Sequence, residues 1–224
     1  MNLIVKEEND RTVIIDTRVK NVEIFITKKI FSSDIQNIFT LKQTHSDKFV
    51  SLERENDIFK FKNSEGDAII SLVKDVSIAV RTADCLPVFF YSDDGTLAGV
   101  CHAGWRGTAK KIVGKVADYV IKNLHYDKKQ LNFIMGVAIC NKCYEVKEDM
   151  TDAFLSEYGE SGIKYFKHGK FDLKQANIDI LIGKGIEKIK IFNLNKCTVC
   201  NNRDYFSFRA EKTDKRIYNV IRLR

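Results

Sequence analysis

The segment Leu97–Leu124 reads LAGVCHAGWRGTAKKIVGKVADYVIKNL and holds both periodicities from which a fold is built. Leu97–Cys101 is short and apolar, the pattern of a strand. Beyond Gly107, the residues Ala109, Ile112, Val113, Val116, Ala117, Val120 and Leu124 recur at helical spacing as one apolar face. Lys110, Lys111, Lys115 and Lys122 fill the rest of that helix. A strand therefore runs into a helix through HAGWRG.

Outward from this unit, β-branched alternating stretches predict strands at Thr12–Asp16, Val22–Thr27, Asp57–Lys62, Ala68–Val73, Val76–Arg81, Val88–Tyr91 and Leu131–Ile139. Ile189–Phe192 and a segment near Tyr205–Phe208 predict two more. Further helices are expected at Ser33–Leu41, Lys147–Tyr158 and Leu173–Lys184. Strands do not alternate strictly with helices. The expected fold is therefore α+β, a single domain over residues 1–224 with mixed β-sheets flanked by helices.

The bulk composition narrows the function classes. Of 224 residues, 44% are apolar, enough for a substantial core, and no apolar run approaches the ~20 residues of a membrane span. The start, MNLIVKEENDRTVIID, has no basic region followed by a long apolar one, so a cytoplasmic location is expected. The net charge of +7 comes from lysines interleaved with acids, which reads as a solvated surface rather than a nucleic-acid interface. It still favours an anionic substrate such as phosphate.

Three segments carry chemistry: Gln43-Thr44-His45-Ser46-Asp47, Arg81-Thr82-Ala83-Asp84-Cys85-Leu86-Pro87-Val88 and Val100-Cys101-His102-Ala103-Gly104-Trp105-Arg106-Gly107. Each falls at a strand end or loop. Imidazole and thiolate are the preferred donors for zinc, and three protein donors with one open position mark a catalytic site. His45, Cys85 and His102 offer such a set, although no local spacing rule joins them. Taken singly, each reads equally as a packed or solvated side chain. Around Arg106, Gly104 and Gly107 permit close backbone approach, and a helix start with an arginine suits phosphate. Trp105 is placed either to stack on a purine or to fill the core. A tight strand-to-helix turn with a surface arginine explains the same residues.

The six cysteines are expected to be thiols or thiolates. Cys140-x-x-Cys143 and Cys197-x-x-Cys200 have the form of a zinc ribbon, yet spacing alone does not bring the pairs together.

QTHS, TADCLPV and CHAGWRG resemble the signature blocks of the YfiH/YlmD-type family, labelled laccase-domain or multicopper polyphenol oxidase and, later, purine nucleoside phosphorylase. The resemblance extends through Gly66-Asp67-Ala68, Ile139 with Cys143-Tyr144-Glu145-Val146, Cys197-Thr198-Val199-Cys200, and Tyr205-Phe206-Ser207-Phe208-Arg209 with Lys215-Arg216. It implies an α+β fold related to the catalytic domain of a deamidating toxin. It also implies one zinc on His45, Cys85 and His102, and assigns the cysteines at 143, 197 and 200 no shared metal. The implied activities are phosphorolysis of adenosine, inosine and methylthioadenosine, adenosine deamination, and weak oxidation of phenols with Cu2+. The chain departs from the family pattern at Gly136-Val137, at Ser207-Phe208-Arg209-Ala210 and at Thr213-Asp214-Lys215-Arg216.

The leading expectation is a zinc-dependent enzyme acting on purine nucleosides and inorganic phosphate. Asp84 or Asp67 would carry protons and Arg106 would hold phosphate. A Cys-His hydrolase or deamidase is the alternative, with Cys85 as nucleophile and His102 as base. That pair has no need of His45. A multicopper centre needs many histidines, and this chain has only His45, His102, His125 and His168. A noncatalytic binding protein leaves the open metal position unexplained. Editing of peptidoglycan precursors is a further role attached to bacterial members of the family.

Overall fold

The run Leu86–Ser92, LPVFFYS, is buried at every position, whereas Arg11–Asp16 alternates between half-exposed and buried. A strand buried at consecutive residues is covered on both faces; one that alternates has a wet face. That contrast sets the architecture. The computed structural model describes residues 2–31 and 37–224.

In chain order the strands are β1 (Leu3–Glu7), β2 (Arg11–Asp16), β3 (Val22–Thr27), β4 (Ile38–Phe39), β5 (Phe49–Leu52), β6 (Ala68–Ser71), β7 (Ser77–Thr82), β8 (Leu86–Ser92), β9 (Ala98–Ala103), β10 (Leu131–Met135), β11 (Phe166–Lys167), β12 (Lys170–Phe171), β13 (Ile191–Asn193) and β14 (Ile217–Leu223). The helices are α1 (Asn56–Lys60), α2 (Trp105–Ala109), α3 (Ile112–Lys122), α4 (Glu148–Tyr158), α5 (Leu173–Gly183) and α6 (Phe208–Glu211). One six-stranded sheet has the order β1-β2-β3-β14-β7-β4, the other β13-β10-β8-β9-β6-β5. Each is mostly antiparallel. Parallel pairs occur at β4 with β7, β10 with β13 and β5 with β6. The fold is thus α+β with mixed sheets.

The second sheet is the middle layer. Phe89, Tyr91 and Ile134 on one face meet Ile24, Ile26, Ile78 and Ile221 of the first sheet. The intervening residues Val88, Phe90, Phe133 and Met135 face Ile112, Val113, Val116 and Ile180 of the helices. Removing each such side chain from water contributes about 1.5–3 kcal/mol, so the rigid part of the molecule is centred on this sheet.

Several local expectations change. Asp57–Lys62 is not a strand; Asn56–Lys60 is α1. Ile58 and Phe61 pack on the core while Phe59 is exposed, and this i, i+3 pairing serves a helix as well as alternation serves a strand. Tyr205–Phe208 is not a strand either. Ser207 caps α6, its Oγ accepting from the Ala210 N–H at 3.1 Å. Of the helix expected at Ser33–Leu41, positions 33–36 lie outside the described residues, and Ile38–Phe39 is β4. The long helix after Gly107 is instead α2 and α3, separated by Lys111 in the left-handed region (φ 58°). β14 was not foreseen because Asn219 takes an inward position and interrupts the apolar alternation. Its Nδ2 donates to Thr82 Oγ1 at 2.9 Å, while its Oδ1 is buried without a hydrogen-bond partner among the described residues.

Candidate metal centre

Strand register brings the three segments to one end of the second sheet. Leu86 pairs with Ala103 and Pro87 with His102, so the entry to β8, which carries Cys85, lies beside the exit of β9. Ala68 pairs with Cys101, which places Asp67 opposite His102. The loop bearing His45 is fastened from both sides. Gln43 exchanges two hydrogen bonds with the backbone of Arg81, at 2.8 and 2.7 Å. The N–H groups of His45 and Ser46 and the Ser46 hydroxyl donate to Asp67 at 3.1, 2.6 and 2.7 Å. This wrapping holds His45 in the left-handed region (φ 57°), a conformation that a non-glycine residue keeps only under outside constraint.

The result is a cluster in which ring nitrogens of His45 and His102 and the Cys85 sulfur lie within 4.8 Å of one another. The two imidazoles meet nearly edge to face, with centroids 4.8 Å apart. Gly104 closes over them. A Cβ there would stand 3.0 Å from the Cys85 sulfur and 3.4 Å from His45 Cδ2, so only glycine leaves the donors undisturbed.

Electrostatics prepare the same donors. Burial alone would raise the Asp67 carboxyl, but hydrogen bonds from His102 and Ser46 reverse this and hold it at about 2. Asp67 is therefore ionised, and His102 must donate from Nδ1 across 2.8 Å. That fixes Nδ1 as the donor to Asp67 and turns Nε2 toward the cluster, where a metal would displace its proton. Burial also opposes a charged Cys85, yet His102 and His45 outweigh it and lower the thiol to about 6. His102 is raised to about 9: burial works against its charge, and Cys85 and Asp67 work for it. Two nitrogens, one ready thiolate and spacing of a few ångströms fit a transition metal with an open position toward solvent. His125 and His168 are exposed on other loops, so two of the four histidines join the cluster.

A cleft of about 520 Å³ opens above the cluster, a volume suited to a small organic ligand. His45, Cys85 and His102 line it together with Tyr144, Phe208 and three arginines, Arg81, Arg209 and Arg216. Sheet pairing explains two of these, since Tyr218 pairs with Arg81 and so brings the approach to β14 alongside the end of β7. Burial keeps the Tyr144 phenol protonated. Asp84 also lines the cleft, but its carboxylate is committed. It accepts from Thr198 Oγ1 at 2.6 Å, Ser207 Oγ at 2.7 Å and the Arg209 N–H at 2.7 Å. Arg106 is exposed, with its guanidinium 4.2 Å over the Trp105 ring, and neither residue lines the cleft. Trp105 packs against the helical core. The arginines at 81, 209 and 216 were present in the sequence motifs without a role; only the fold gathers them.

Comparison with known proteins follows the same lines. The model of the family described as multi-copper polyphenol oxidoreductase laccase matches residues 9–224. The purine nucleoside phosphorylase Cj1217c of Campylobacter jejuni is 29% identical over 97% of this chain and 94% of its own. The adenosine deaminase RL5, from an unknown prokaryote, is 27% identical over 79% of this chain and 71% of its own. The crystal structure of Bacillus licheniformis hypothetical protein YfiH superposes with a TM-score of 0.86 at 22% identity, covering 98% of this chain and 99% of that one.

Proposed function

This chain belongs to the multi-copper polyphenol oxidoreductase laccase family, whose relatives include purine nucleoside phosphorylases and an adenosine deaminase, and we propose that it is a zinc-dependent purine nucleoside enzyme. Its main reaction is phosphorolysis of adenosine, inosine and methylthioadenosine to the free base and the (methylthio)ribose 1-phosphate, with adenosine deamination as a second activity. Oxidation of phenols with bound Cu2+ is at most weak, because a multicopper centre needs more histidines than the two in this cluster. The observation that carries the reading is the convergence of His45, Cys85 and His102 at the floor of an arginine-ringed cleft.

Zinc held by these three residues would supply a Lewis acid at the cleft floor. The protein does the rest. Asp67 orients His102, and Gly104 keeps the donor geometry open. Tyr144 and Phe208 offer flat faces for the purine, and the Tyr144 hydroxyl is a neutral donor. Arg81, Arg209 and Arg216 provide the cationic rim for phosphate, a task for which the sequence pointed to Arg106. Asp84 organises the C-terminal loop that brings Ser207 and Arg209 to the cleft. Asp67, saturated and ionised, is likewise a positioning group rather than a proton carrier.

A second reading, the Cys-His hydrolase, draws on one observation. Asp67, His102 and Cys85 form a chain of acid, imidazole and lowered thiol resembling a nucleophile triad. His45 separates the two. As a ligand it is required for both metal content and turnover. His45→Ala should lose the cleft-floor zinc and inosine cleavage together, with no covalent adduct on Cys85 in the wild type during turnover. Full activity of His45→Ala with the cleft floor empty of metal, or a trapped adduct at Cys85, would favour the hydrolase.

A further inference from the structure

Away from the cleft floor lies a second group of metal donors. The sulfurs of Cys140, Cys143, Cys197 and Cys200 all lie within 4.8 Å of one another. They come from two C-x-x-C turns, one after β10 and one after β13, which fold against each other because those strands pair in parallel. The first turn is tight: the N–H groups of Cys143 and Tyr144 both donate to the Cys140 carbonyl at 3.0 Å. The turns are joined by the Cys140 N–H, which donates to the Cys197 sulfur at 3.3 Å. Cys143 and Cys200 bring their sulfurs to 3.6 Å. Four sulfurs around one zinc at ~2.3 Å stand ~3.8 Å apart, so the cluster needs little adjustment to close on an ion.

We propose that Cys140, Cys143, Cys197 and Cys200 form a second, structural zinc site that clamps together the two loops bordering the substrate cleft.

The surroundings suit a closed tetrathiolate. A zinc with four thiolates carries net negative charge, and the buried Lys174 lines the same small cavity as Cys140. Its ammonium reaches only neutral oxygens among its hydrogen-bond partners, Asn193 Oδ1 at 3.4 Å and the Lys196 carbonyl at 3.1 Å. A buried cation beside the thiolates offsets the excess charge. The position also explains what the clamp is for. Tyr144, next to Cys143, faces the substrate cleft, and Thr198, next to Cys197, holds Asp84 at 2.6 Å. Fixing the four cysteines fixes both cleft walls. Soft thiolates with no open position select zinc and make it structural rather than catalytic.

The test is metal analysis of the full chain purified under reducing conditions and supplied with zinc. Wild type should bind about two zinc ions per chain. His45→Ala should keep one, and Cys143→Ser with Cys200→Ser should keep the other. The latter variant should also show a raised KM for nucleoside. Cobalt substitution of His45→Ala, which retains all four cysteines, should give the intense sulfur-to-metal absorption of a tetrathiolate, so the result does not depend on folding of the serine variant. Failure of the cleft-floor assignment would leave this signal intact. A wild type that binds one zinc, a His45→Ala protein without the sulfur-to-cobalt band, or a Cys143–Cys200 disulfide that takes up no zinc after reduction would each overturn the proposal.

Discussion

Asp67 Oδ1 lies 2.8 Å from His102 Nδ1, with both side chains removed from solvent. The same carboxylate accepts from the loop that carries His45, so one acid positions two of the three donors. Asp67→Asn puts an NH2 group where an N–H already points. It should lower stability by about 1–3 kcal/mol and weaken metal binding by roughly 10–100-fold. Thermal unfolding and chelator competition read the two effects. Unchanged metal affinity would show that His102 needs no orienting partner.

Gly104→Ala leaves the backbone content, since φ is −70° there. Its new methyl would sit 3.0 Å from the Cys85 sulfur. The expected outcome is a loss of metal affinity of about tenfold or more with nearly unchanged unfolding of the metal-free protein. Parallel metal titration and denaturant melts check this.

The arginines of the cleft divide from Arg106. Arg209→Ala and Arg216→Ala should each raise the phosphate KM about 10–100-fold, the size of a lost charge-assisted hydrogen bond, with less effect on nucleoside KM. Arg106→Ala should stay within about twofold because its guanidinium lies over Trp105, outside the cleft. Steady-state kinetics with phosphate varied separates these. The opposite ranking would return phosphate to the turn before α2.

These particulars show what the sequence carried. Donor chemistry singled out His45, Cys85 and His102, because histidine and cysteine at strand ends are unusual enough to notice. From the residues alone their meeting was not legible, since it depends on β8–β9 and β6–β9 register, and only the family resemblance implied it. Arg81 and Arg216 were ordinary surface charges until β7 and β14 paired. The central strands read well because they are buried on both faces and mostly apolar. β14 did not, because an inward Asn219 breaks its pattern and its side-chain N–H finds Thr82 only in the folded sheet. At α1 the apolar residues fit both periods, and packing decided.

Stability in acid depends on Asp16, which ties the two sheets by accepting from the Tyr91 hydroxyl at 2.9 Å. Against burial, the bonds from Arg18 and Tyr91 hold its carboxyl below the ordinary value. A folded value below the unfolded one, about 3.9, means the folded state binds fewer protons in between. The contribution is therefore full above that value and is lost as pH falls through the folded one. Asp16→Asn should cost about 1–3 kcal/mol at neutral pH and flatten the acid limb of stability against pH. Urea melts at stepped pH measure both, and an unchanged acid limb would remove Asp16 from the account.

The most direct measurement of the central claim is product analysis with inosine on protein of known metal content, with and without inorganic phosphate. The cleft chemistry predicts hypoxanthine and ribose 1-phosphate in equal amounts, formed only with phosphate and only by metal-loaded enzyme. Free ribose at an undiminished rate without phosphate, or no cleavage of inosine or adenosine by fully loaded protein, would contradict it.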